Sequence, residues 1–164
     1  MDVRPATLED CEPLARAMKT VAEEGWLATE PSTSVDDIEQ RFRAAVEWEG
    51  HLLFVLEEKG ETAKAAVLAG ALGLHPTQAE GVLSLGMWLL PEYRGHGGGR
   101  LLMEAALDAR PPEVHKIELE VFPDNEAAIG LYRSVGFDEE GLRRNHYRRA
   151  DGSLRSALIM ARLF

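Results

Sequence analysis

The chain has 164 residues, 45% hydrophobic and 28% charged, with a formal net charge of −10 at pH 7. That composition suits a single globular domain, 1–164, with a sizeable core, and it excludes a disordered chain or a broad basic face for nucleic acid. No run of 18 apolar residues is present for a membrane span, MDVRPATLED lacks signal-peptide features, and the one cysteine, Cys11, allows no internal disulfide, so a cytoplasmic protein is expected.

In chain order, MDVRPA reads as a short strand. Thr7 and Asp10 have capping-box spacing ahead of a helix whose apolar positions are Leu8, Cys11, Leu14, Ala15, Met18, Val21 and Ala22, with Gly25 closing it. Cys11 falls on that apolar face and is read as core. WLATEPSTS is a loop, and Ser34 with Asp37 caps a second helix built on Val35, Ile38, Phe42, Ala45 and Val46. HLLFVLEE (51–58), AAVLAGALGLH (65–75) and GVLSLGMWLLP (81–91) read as strands, with KGETAK turning the first into the second. Leu101, Leu102, Ala105, Ala106 and Ala109 mark a helix that stops before Pro111. HKIELEVF (115–122) alternates as a strand, PDNEAAIGLYRSVGF gives a short helix ended by Gly136, and the remainder reads as a hairpin with a type I′ turn at Asp151-Gly152. The order predicts a mixed α/β fold: a mainly antiparallel sheet with one strand–helix–strand unit at its centre.

Charge is uneven. Gly141 to Phe164 holds six arginines and one acid, Asp151, against an acidic remainder. The expected role of these arginines is to pair with that acidic body.

The glycines of PEYRGHGGGRLL (91–102) interrupt a well-patterned chain, which argues against a linker. A glycine turn from strand into helix presents free N–H groups and a positive dipole end to a phosphate. Arg100-Leu101 is not the Lys-Ser/Thr pair of a P-loop. A dinucleotide fingerprint would put its third glycine at Arg100 or Leu102, both too large, although Glu118 and Glu120 stand where an acid would meet ribose. What remains is Arg94-x-x-Gly97-x-Gly99, followed by Asn125-x-x-Ala128-x-x-x-Tyr132-x-x-x-Gly136-Phe137. Together these two ordered motifs resemble the GNAT superfamily of acyl-CoA N-acetyltransferases. The opening VRPATLED and the ATEPSTS loop look like bacterial amino-acid and phosphinothricin-type members.

The resemblance implies acetyl-CoA as acyl donor, no metal, and a V-shaped opening between the fourth and fifth strands. The pyrophosphate would rest on Gly95, Gly97, Gly98, Gly99 and Arg100, with the pantetheine arm along Met87, Trp88 and Leu89. Arg94 would contribute its backbone N–H, and its side chain would pack or form an ion pair. Asn125 is open between helix cap and cofactor contact. Tyr132 is the implied general acid for the departing thiolate, with an aromatic core contact as its alternative. For the base, Ser84 stands where many relatives carry glutamate. Glu120 and Glu30 are the candidates, His75 and His146 stand behind them, and His96 is read as facing solvent. The implied acceptor is a primary amine of a small molecule or a protein N-terminus, selected by the 25–35 loop, His75 and the final hairpin. A homodimer is left open, and a non-catalytic acyl-CoA-binding sensor or partner-binding module is the competing reading.

Overall fold

A computed structural model describes residues 1–58 and 67–164. The turn expected at 59–64 lies outside the described residues. Seven strands form one sheet: β1 (Asp2–Pro5), β2 (Leu52–Glu58), β3 (Val67–Pro76), β4 (Val82–Leu89), β5 (Lys116–Val121), β6 (Asp138–Arg148) and β7 (Leu154–Leu163), in the order β1-β2-β3-β4-β5-β7-β6. Among the described strands only β4 and β5 pair in parallel, and the connection between them runs through the crossover helix α3 (Gly98–Asp108). The helices α1 (Cys11–Glu23), α2 (Val35–Glu47) and α4 (Glu126–Ser134) complete the fold.

Strand alternation divides the core between two faces. Leu83 and Leu85 of β4 join Leu102, Met103 and Ala106 of α3 with Ile129 and Tyr132 of α4 in one cluster. Trp88 points the other way and packs with Leu14, Val21, Leu53, Val55 and Ala71 beneath α1 and α2. Cys11 is fully buried, as its place in the helical stripe predicts.

The first helix begins as expected. Asp10 Oδ2 accepts from the Thr7 N–H at 2.7 Å and from Thr7 Oγ1 at 2.9 Å, and a 3-10 turn over Leu8–Asp10 leads into α1. Arg4 donates to both Asp10 oxygens, at 2.7 and 2.8 Å, and these bonds pull the Asp10 carboxyl down to about 2. A carboxylate with a depressed folded-state pKa stabilises the fold above its unfolded value, and that contribution is lost as pH falls toward 2. Asp10→Asn is therefore expected to cost about 2 kcal/mol at pH 7. Denaturant melts should show the gap from wild type closing between pH 4 and pH 2; a gap independent of pH would contradict the assignment.

The hairpin turn differs from the sequence expectation. Only Gly152 has positive φ, at 84°, so Asp151-Gly152 is not a type I′ pair. The N–H of Gly152 donates to Arg149 O and that of Arg149 to Ser153 O, both at 2.9 Å, which makes a type I turn followed by a left-handed glycine. Asp151 reinforces it by accepting from the Ser153 N–H at 2.9 Å.

Candidate active site

β4 and β5 pair only from Val82–Lys116 to Leu85–Leu119. Beyond that both strands continue, to Leu89 and Val121, without each other. From Gly86 onward β4 therefore turns unpaired backbone donors and acceptors toward the opening, where they need a partner. The V-shaped gap is the mouth of a cleft of about 930 Å³. Met87, Trp88 and Leu89 line it, and since the Trp88 ring is buried under α1, its backbone is the part available to a guest.

At the end of β4 the glycine turn enters α3. Gly95 and Gly97 have φ of 76° and 86°, a region costly to residues with a Cβ, and a Cβ on either would meet nothing within 4 Å. The first bond within α3 runs from the Leu101 N–H to Gly97 O, so the N–H groups of Gly98, Gly99 and Arg100 are left for a ligand. Gly95, Gly97, Gly99 and Arg100 line the cleft, whereas Gly98 does not. Gly98 is buried, and a Cβ there would stand 2.5 Å from Leu56 Cδ2; one on Gly99 would stand 2.9 Å from Leu131 Cδ2. Close helix–sheet packing is thus a second reason for these two glycines. Arg94 lines the cleft but its side chain is committed elsewhere: it forms a two-pronged pair with Glu24 at 2.6 and 2.8 Å and donates to Leu89 O, fastening the end of α1 to the turn.

Tyr132 and Asn125 come from α4, on the β5 side of the opening, and both line the cleft. Asn125 caps α4, its Oδ1 accepting from the Ala128 N–H at 3.2 Å. The Tyr132 ring is buried among core residues, tilted against Phe137. Its hydroxyl makes no hydrogen bond to a described residue, and burial pushes its pKa up to about 12. It is a protonated donor with no acceptor among the described residues.

The two carboxylates named from sequence separate. Glu120 lines the cleft, with Oε1 accepting from Arg143 and Oε2 from the Tyr147 hydroxyl at 2.7 Å. Glu30 does not line it and pairs with Arg149 at 3.0 Å. His75 lines the cleft and bonds His51, Nδ1 to Nδ1, at 3.0 Å. His96 is exposed, and neither it nor His146 lines the cleft.

Sequence reasoning missed what surrounds these groups. Arg143 and Tyr147 on β6 set the Glu120 carboxylate, while Arg155 spans Asp124, Gly25 O and the face of Phe122 at 3.9 Å. With Arg149 bound to Leu27 O, the arginine-rich hairpin holds the 25–30 loop against the cleft wall. The charge imbalance was legible; which arginine meets which acid was not, since the partners are more than twenty residues apart in sequence. Among the described residues, no cluster of three or more His, Cys, Asp or Glu side chains is placed to hold a metal, and no helix is long and apolar enough to cross a membrane.

A mixed sheet that parts midway along its one parallel pair, with a glycine turn at the foot of the gap, is the architecture of acyl-CoA-type transferases that the two motifs implied. The sequence profile of the acetyltransferase (GNAT) family matches residues 15–137, and the chain belongs to that family. It is similar to the N-alpha-acetyltransferase RimI of Mycobacterium tuberculosis, 54% identical over 59 residues, which are 35% of each protein. It is also similar to the ribosomal protein bS18-alanine N-acetyltransferase of Escherichia coli strain K12, 44% identical over 72 residues, 43% of this chain and 48% of that one. The matches thus span half or less of these curated relatives. The crystal structure of a ribosomal-protein-alanine N-acetyltransferase from Brucella melitensis superposes with a TM-score of 0.84 over all of both chains at 24% identity, a likeness of fold.

Proposed function

We propose that this protein transfers the acetyl group of acetyl-CoA to a primary amine, and that the acceptor is the α-amine of a peptide or protein. The observation that carries the reading is the Tyr132 hydroxyl, a donor with no partner among the described residues, at the wall of a cleft floored by the free N–H groups of the glycine turn. The acceptor class rests on the names of the relatives above.

Acetyl-CoA supplies the thioester. Gly95, Gly97, Gly99 and Arg100 suit its phosphates, and the unpaired edge of β4 from Gly86 to Leu89 suits its amide-bearing arm and the carbonyl oxygen that gains charge during attack. Tyr132 donates to the departing sulfur. An ordinary thiol titrates near ~8.5, well below Tyr132, so a hydrogen bond to the growing negative charge is its main contribution. Of the two candidate carboxylates, Glu120 has the access, and it receives the acceptor's ammonium across the opening from Gly86. Glu30 serves to hold the 25–30 loop through Arg149.

The test is release of free thiol from acetyl-CoA in the presence of an alanine-initiated peptide, free alanine or spermidine. Turnover with the peptide is expected. Preference for spermidine would replace the acceptor class, and acetyl-CoA binding with no turnover of any amine would favour the non-catalytic module. Glu120→Gln is expected to raise the KM for the peptide about tenfold or more and leave acetyl-CoA affinity unchanged, as measured by initial rates and calorimetry; an unaltered KM would remove Glu120 from the acceptor site.

A further inference from the structure

Two proton-handling groups face each other across Gly86. In the antiparallel β3–β4 register Gly73 stands opposite Gly86 and His75 opposite Ser84. In the parallel β4–β5 register Ser84 stands opposite Glu118, so Gly86 falls level with Glu120 where the strands part. His75, Gly73, Ser84, Gly86 and Glu120 all line the cleft. The His75 imidazole leans along its strand over Gly73: a Cβ on Gly73 would lie 2.6 Å from His75 Nε2. The ring occupies the space a side chain at 73 would fill. Gly86 has nothing within 4 Å of where a Cβ would be, so the space between imidazole and carboxylate is open.

Glu120 accepts one bond at each oxygen, from Arg143 and from Tyr147, and its remaining lone pairs are the ones that hold the acceptor's ammonium. His75 differs. Its Nδ1 is 3.0 Å from His51 Nδ1, and the edge-on rings have centroids 5.1 Å apart. With His75 donating from Nδ1, Nε2 bears the free lone pair above Gly73, and His51 is the next member of a chain. Desolvation first, and His51 second, lower the His75 pKa, which keeps the ring neutral and able to accept at neutral pH.

We propose that His75 takes the proton of the acceptor ammonium and passes it to solvent through His51. The inference rests on the acetyl-transfer reading above. One ammonium proton goes to His75 Nε2, the Nδ1 proton moves to His51 Nδ1, and the proton on His51 Nε2 leaves to water. The neutral amine then forms the C–N bond as the C–S bond breaks. The second proton lost from nitrogen ends on the sulfur, to which Tyr132 donates.

Other groups that titrate around His75 are His51, ahead of β2, and Glu118 and Glu120 on the same face of β5; Glu118 is paired with Lys116 at 3.6 Å. Toward this cleft α1 and α2 present uncharged Met18, Val21 and Phe42, and β4 presents Ser84. With the alanine-initiated peptide, His75→Ala and His75→Gln are expected to lower kcat about 100-fold while acetyl-CoA affinity holds. Imidazole added to the medium should restore His75→Ala at least tenfold and leave wild type unchanged. Kcat within threefold of wild type, or a loss that imidazole does not restore, overturns the proposal. His51→Ala tests it independently should His75→Ala fail to fold. Removing the second ring leaves the His75 Nδ1 proton without its acceptor, so kcat should fall at least about tenfold while acetyl-CoA affinity holds; kcat within about threefold of wild type overturns the relay. Should wild type turn over no amine, the acetyl-transfer reading fails and takes this proposal with it. Should wild type be active and the His75 variants match it, only the assignment of His75 fails.

Discussion

Tyr132→Phe is expected to lower turnover by ~10²–10⁴-fold, the range of a positioned proton donor, while acetyl-CoA binds as before. The environment of the side chain makes this a clean test. The ring lies in the core with Ile129 and Phe137 around it, and phenylalanine keeps that packing. The hydroxyl has no described partner, so removing it leaves no buried group newly unsatisfied, and stability should change by less than ~1 kcal/mol. A fall in rate with unchanged melting and unchanged cofactor affinity would place the hydroxyl on the reacting sulfur. The pH profile adds a second check: with its pKa at about 12, Tyr132 stays protonated through the neutral and mildly basic range, so no basic limb of wild-type activity below pH 10 should belong to it. Full turnover in Tyr132→Phe, with the chemical step shown to limit the rate, would return this tyrosine to the core and nothing more.

The second large effect divides two adjacent glycines. Gly97→Val should fold and bind acetyl-CoA poorly. Its Cβ would enter empty cleft space, and its φ of 86° adds ~1–2 kcal/mol of local strain. Losing two charge-assisted hydrogen bonds at the turn, each worth ~1.5–3 kcal/mol, weakens binding at least ~100-fold. Gly98→Val should do the reverse first. Its φ needs no glycine, but its Cβ would stand 2.5 Å from Leu56 Cδ2, 3.3 Å from Met1 Sδ and 3.4 Å from Leu89 Cδ2. Overpacking of this kind costs ~1–3 kcal/mol, visible as a lowered Tm before any ligand is added. Calorimetric titration and thermal melts on both variants decide the matter. Equal affinity in Gly97→Val and wild type would remove the turn from the phosphate site, and an undiminished Tm in Gly98→Val would mean that Leu56 can move aside.

The elements were legible in the sequence because their signals are local. Thr7 with Asp10 and Ser34 with Asp37 cap helices from three residues away, and Gly25 and Gly136 close helices with φ of 78° and 88°. The two spaced motifs that implied the family are likewise short-range patterns, and residues 15–137 match that family. The Asp151-Gly152 turn was misread because a dipeptide does not reveal the loop length that selects turn type. The site divides in the same way. Asn125 and Tyr132 sit two turns apart on one helix, so their shared direction was set by sequence. Tertiary structure alone decided that the β4–β5 pairing ends at Leu85, that Glu120 rather than Glu30 reaches the cleft, and that the His75 ring lies over Gly73 beside Gly86. Each is a meeting of strands or loops far apart in the chain, governed by register and packing, and no spacing within a single segment records it.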